Sequence, residues 1–108
     1  MEVKTFEKDG VLVFQVDGEI NISTSPELKK QFEKQTSKKV VVDLLKVGYI
    51  DSSGLATLVE ILKRTKSQSG ALVLSGLSDK VKSLFEITKL DKLFQVAVSQ
   101  DEAVNRIK

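Results

Sequence analysis

An acid, two hydroxyls and a glycine stand in a row at Asp51-Ser52-Ser53-Gly54. A serine hydroxyl attacks as a nucleophile when a base takes its proton. It can also accept a phosphoryl group from another enzyme. The chain has 0 His and 0 Cys. His is the usual general base near neutral pH and the commonest metal ligand, so a Ser-His-Asp triad cannot be built. Without Cys there is no disulfide, thiolate metal site or Cys nucleophile, which suits a reducing compartment. A Ser-Lys hydrolase would need a base for Ser52 that the spacing does not supply, and no insert suggests a pocket. The plain role of Asp51, Ser52 or Ser53 is to cap a helix, with Gly54 allowing close packing. One cap needs one side chain, however, and three candidates stand together. Gly54 in a first helical turn also costs up to about 1 kcal/mol relative to Ala, and a backbone left open to a partner would explain it.

The surrounding elements can be read from the pattern. Val3–Lys8 and Val11–Val16 are rich in β-branched and aromatic residues, and Asp9-Gly10 between them is a two-residue hairpin turn. Ser25-Pro26-Glu27 reads as N-cap, first helical position and dipole-complementing acid. That helix should bury Leu28 and Phe32 and run to about Thr36. Lys39–Leu45, with Val40, Val41 and Val42 in a row, reads as a central strand buried on both faces. A loop over Lys46–Asp51 leads to the clearest helix, with Leu55, Leu58, Val59 and Leu62 on one face and Gly70 as its stop. Ala71–Ser75 is a strand. Ser78 caps a helix burying Val81, Leu84, Phe85 and Thr88. Phe94–Val98 is the last strand, and Ser99-x-x-Glu102 is a capping box opening a helix with Ala103, Val104 and Ile107 inward. The expected fold is a single α/β domain over residues 1–108. Its mixed, mostly parallel sheet has an N-terminal antiparallel hairpin and about four helices.

The loop between the Val-rich strand and the clear helix lies where ligands and partners meet open α/β sheets. Its surroundings resemble a known family. Val42-Asp43-Leu44, Val47 and Ile50-Asp51-Ser52-Ser53-Gly54-Leu55 look like the central signature of STAS domains of the bacterial anti-sigma factor antagonist kind. Gly18-Glu19-Ile20, followed by Pro26-Glu27-Leu28, is similar to the family's other recurring segment. The resemblance covers essentially the whole chain.

It implies a partner switch. Ser52 is the residue that a cognate anti-sigma factor serine kinase would phosphorylate and a serine phosphatase would reset. The unmodified chain would bind the kinase and free a sigma factor. Asn21, Ser23, Thr24, Asp51, Ser53, Gly54 and Thr57 are the implied partner-binding residues. One departure is plain: the family usually has Asp where this chain has Asn21, which puts a nucleotide-related role for that position in doubt. A STAS subunit of an ABC-type transporter ATPase, or of a stressosome-like complex, would share the fold and part of the loop. A receiver-type domain is a further alternative, but no acidic pair follows either opening strand, and Asp43 sits inside its apolar run.

Composition bounds the rest. The 108 residues suit one domain. With 41% hydrophobic and 30% charged residues, a core and a solvated surface both form, and global disorder is not expected. A net charge of +2 is too weak for a nucleic-acid partner. Lys29, Lys30 and Lys34, and Lys63, Arg64 and Lys66, read as solvated helix faces. Nothing resembles a signal peptide or the roughly 20 apolar residues of a membrane span. The expectation is a cytoplasmic, monomeric chain with no metal or cofactor.

Overall fold

The computed structural model describes all of residues 1–108. Strand β1 (Glu2–Lys8) turns back into β2 (Val11–Asp17) through Asp9 and Gly10, whose φ values of +53° and +78° make the twisted two-residue turn that suits a hairpin. Then follow α1 (Ser25–Glu33), β3 (Lys39–Lys46), α2 (Ser52–Ser67), β4 (Ala71–Ser75), α3 (Asp79–Ile87), a 3₁₀ turn at Leu90–Lys92, β5 (Gln95–Ala97) and α4 (Gln100–Ile107). The strands lie in the order β1-β2-β3-β4-β5. Only the β1–β2 pair is antiparallel. The element order and the mixed sheet are those expected from the pattern.

The central strand explains the layers. Successive side chains on a strand point to opposite faces. Val40, Val42 and Leu44 join the larger core with Leu28 and Phe32 of α1, Leu55, Leu58, Ile61 and Leu62 of α2, and Val81 and Phe85 of α3. Val41 points the other way, to Val73, Ala97 and the Ala103 and Val104 of α4. Three helices therefore cover one face of the sheet and α4 covers the other.

Several boundaries differ from the expectation. Helix α1 starts at Ser25 with Thr24 as its cap, because Asn21 O accepts the N–H groups of Thr24 and Ser25 at 3.1 and 2.7 Å and curls the chain one residue early. It ends at Glu33, short of Thr36. Strand β3 takes in Lys46, while α2 starts at Ser52, directly after the expected loop. The left-handed residue that ends α2 is Ser69, at φ +60°, and not Gly70. Gly70 serves close approach instead, since a Cβ there would lie 2.6 Å from Lys38 O. On α3, Thr88 lies exposed at the C-cap and Leu84 is half-buried, so the inward stripe is Val81 and Phe85. Strand β5 is shorter than expected, leaving Phe94 buried before it and Val98 exposed after it. The capping box of α4 is half formed. Ser99 Oγ accepts the Glu102 N–H at 3.2 Å, while the Glu102 carboxylate pairs with Arg106.

Two of the basic residues expected on solvated faces tie α1 to α2. Lys29 pairs with Glu60 at 3.0 Å and Arg64 with Glu33 at 2.9 Å, both well exposed.

Candidate functional site

The pairing of β2 with β3 shifts register between Gln15 and Asp17 and then continues beyond the strands. Gly18 N donates to Lys46 O, Ile20 N to Tyr49 O, and Asp51 N to Ile20 O, each at 3.1 Å. An isolated parallel bridge joins Ile20 to Ile50. The two loops that follow β2 and β3 therefore leave the sheet already joined by main-chain hydrogen bonds.

Asp51 extends that joint with its side chain. It sits at the N-cap of α2 in an extended conformation (φ −89°, ψ −177°), as a cap residue should. Its Oδ1 accepts the Gly54 N–H at 2.9 Å. Its Oδ2 accepts the Ile22 N–H, on the other loop, at 3.0 Å. One carboxylate caps the helix and fastens the loop beside it.

That settles which of the three candidates is the cap. Ser52 and Ser53 are the first two residues of α2, and neither hydroxyl takes part in any side-chain hydrogen bond. Ser52 is exposed and Ser53 half-buried. No acid stands in the first turn of α2. Ser52 thus stands at the N-terminal end of a 16-residue helix, where the positive end of the dipole and the unpaired first-turn N–H groups lie.

The neighbouring loop is built around Asn21. Its Oδ1 accepts the N–H groups of Ser23 at 2.9 Å and Thr24 at 3.1 Å. Its own N–H donates to Thr24 Oγ1 at 2.9 Å, and Thr24 Oγ1 donates to Glu19 O at 2.8 Å. Its Nδ2 donates to Glu19 Oε2 at 3.2 Å. The last bond needs an amide, because a carboxylate has no proton to give.

The structure brings Asn21, Ser23, Thr24, Asp51, Ser52 and Ser53 together. Asn21 and Thr24 are half-buried and Ser23 is exposed. Two expected contact residues are not at the surface. Gly54 is buried, and a Cβ there would lie on Ile20 O and within 2.7 Å of Ile50 Cγ2 and 2.9 Å of Ile20 Cγ2. The glycine is required because the joined loops pass over it, and it leaves no backbone open to a partner. Thr57 is also buried, on the inward face of α2 beside Leu58.

Two residues at this end of the molecule escaped the sequence reading. Ile22 is 72% exposed in the middle of the Asn21 loop. Tyr49 lies under the Lys80 ammonium, 5.0 Å from the ring centroid. An Ile among turn-forming polar residues was the available signal for the first. Nothing local marked the second.

The Asp43 carboxylate is held inside the fold. It is 3% exposed, with Oδ1 accepting Leu45 N–H at 3.0 Å and Oδ2 accepting Gln100 Nε2–H at 2.9 Å. No three His, Cys, Asp or Glu side chains cluster as a metal site would require. No helix is long and apolar enough to cross a membrane.

The STAS domain model matches residues 2–103. This chain belongs to the STAS domain family. Among STAS relatives, the anti-sigma-B factor antagonist of Listeria monocytogenes is 37% identical over 99 residues, covering 89% of this chain and 86% of the relative. The crystal structure of an anti-sigma factor antagonist from Mycobacterium paratuberculosis superposes with a TM-score of 0.89 at 25% identity, covering 98% of this chain and 92% of that one. The Bacillus cell fate determinant SpoIIAA in its phosphorylated form shares the STAS fold, with a TM-score of 0.75 at 14% identity, covering 99% of this chain and 100% of that one.

Proposed function

We propose that this STAS chain is an anti-sigma factor antagonist whose binding is switched by phosphorylation of Ser52. The unmodified chain binds an anti-sigma factor that is also a serine kinase, in the cytoplasm, and so frees a sigma factor. Phosphorylation releases it, and a serine phosphatase resets it. The chain is then the substrate of its partners' chemistry and performs none of its own.

The observation that carries this reading is the division of labour at the head of α2. Asp51 takes the capping role, which leaves the exposed Ser52 hydroxyl without a structural duty. Phosphate adds about −1.5 to −2 charges and three acceptor oxygens. Positioned at the first residue of α2, it meets free N–H groups and the positive end of the dipole, so the fold tolerates it. A partner surface packed over Ser52 meets instead added bulk and a charge beside Asp51. The names of the Listeria and Mycobacterium relatives support the same role.

The test is incubation with the cognate kinase and ATP, followed by site mapping and pull-down. One phosphate on Ser52, with loss of kinase binding, is the expected result. Modification elsewhere, or equal binding by both forms, sinks the proposal.

A further inference from the structure

Ile22 is a large aliphatic side chain, 72% exposed, on a loop otherwise made of polar turn residues. Scattered exposed apolar residues are ordinary, so exposure alone says little. Ile87 on α3 is 78% exposed and Val98 after β5 is 85% exposed, and neither is joined to Ser52 by a described contact. Ile22 is different because of what holds it. Its N–H is bound by Asp51 Oδ2 at 3.0 Å, and the other oxygen of that carboxylate caps the helix that begins at Ser52. On its other side, Ser23 N and Thr24 N are held by Asn21 Oδ1. The main chain is pinned on both sides of Ile22, and its side chain stands in solvent.

That is the construction of a pre-ordered anchor. A main chain held in place before association loses little freedom on binding, and interface energy concentrates in a few apolar anchors set among polar neighbours. An active site that reaches Ser52 Oγ covers the loop fastened to Asp51. Leu45, 69% exposed near the end of β3, has no bond to the Asp51 carboxylate, and Tyr49 already has Lys80 across its ring.

We propose that Ile22 is a docking and specificity residue for the kinase that acts on Ser52, seated in an apolar recess beside that kinase's active site. The inference rests on the phosphorylation reading given above. Ile22 is a positioning contact and takes no part in phosphoryl transfer.

The probe is the purified anti-sigma factor kinase with ATP and magnesium, against the parent chain, Ile22→Ser, Ile22→Val and Ile87→Ser. Exposure of both sites predicts unchanged thermal midpoints. Ile22→Ser should weaken kinase binding about tenfold to thirtyfold and raise KM for phosphorylation similarly, with kcat unchanged. Ile22→Val and Ile87→Ser should stay within about twofold of the parent. If the parent is phosphorylated and Ile22→Ser binds and reacts as well, the Ile22 assignment falls and the Ser52 reading stands. The same holds if Ile87→Ser is weakened as much as Ile22→Ser. If the parent gains no phosphate on Ser52, both readings fall.

Discussion

The Asp51 carboxylate binds Ile22 across the gap between two loops, Oδ2 to N–H at 3.0 Å, while its other oxygen closes the first turn of α2 at Gly54. Removing it should therefore loosen two segments. Asp51→Ala should cost about 1–2 kcal/mol, the usual loss for a helix cap with a charged acceptor. Asp51→Asn, which keeps one acceptor oxygen, should cost less. Urea unfolding gives the magnitude. Amide exchange decides the mechanism: Ile22 and Gly54 should both lose protection in Asp51→Ala, whereas a simple cap would expose only Gly54.

Gly54→Ala tests the packing of the joined loops. Helix propensity alone favours Ala by about 1 kcal/mol. The clash with Ile20 O and the two isoleucine methyls overrides that gain, because neither main chain nor buried side chains have room to move. Net destabilisation of about 2–3 kcal/mol is expected, in the range of overpacked cores. A variant as stable as the parent would show that the loops yield.

Ser52→Asp and Ser52→Ala separate fold from interface. Both should unfold within about 0.5 kcal/mol of the parent, as exposed substitutions do, and Asp is favoured by the dipole at a first helical position. Kinase binding should be lost in Ser52→Asp and kept in Ser52→Ala. Loss in both would assign the hydroxyl itself to the interface.

Asn21→Asp restores the residue usual in the family. The acceptors for Ser23 N and Thr24 N survive, so the turn should hold. The bond from Nδ2 to Glu19 is lost, and two carboxylates then face each other. The expected cost is under about 1 kcal/mol, since both groups reach solvent. It should shrink as salt is added, which thermal melts at two ionic strengths would show.

The exposed Lys8–Asp101 pair fastens α4 to the hairpin end of the sheet. Its hydrogen bond holds the Asp101 carboxyl below the usual carboxylate range and the Lys8 ammonium above the usual lysine range, with direct charge attraction second. A lowered acid stabilises the fold above its unfolded pKa and loses that effect as pH falls through the folded one. A raised base contributes below its unfolded pKa and loses the effect as pH rises through the folded one. The melting difference between parent and Asp101→Asn should thus be flat across neutral pH and fade only in strong acid or strong base. Full exposure keeps it small.

Local chemistry made most of the framework legible. The hairpin turn, the Val-rich central strand, the Ser78 and Ser99 caps and the apolar stripe of α2 each carry their signal within a few residues. The errors arose where a distant segment decides. Gly54 and Thr57 look like surface residues until Ile20 and the inward side of α2 are placed. The start of α1 moved because Asn21 organises a turn that competes with Ser25 for the helix entrance. Which of Asp51, Ser52 and Ser53 caps α2 was open in the sequence, because all three types are competent caps. The choice follows from Asp51 alone having a second oxygen to spend on Ile22.

The bridge between Ile20 and Ile50, with the hydrogen bonds around it, is made of main chain. A frame of that kind leaves the exposed side chains above it free to diverge. Under the phosphorylation and docking roles proposed for Ser52 and Ile22, duplicated copies differing at Ile22 or Ser23 would present the same acceptor at the same place and yet fail to engage one another's partners. Insulation between parallel signalling circuits then requires a change in surface chemistry at a few loop positions, and no new architecture.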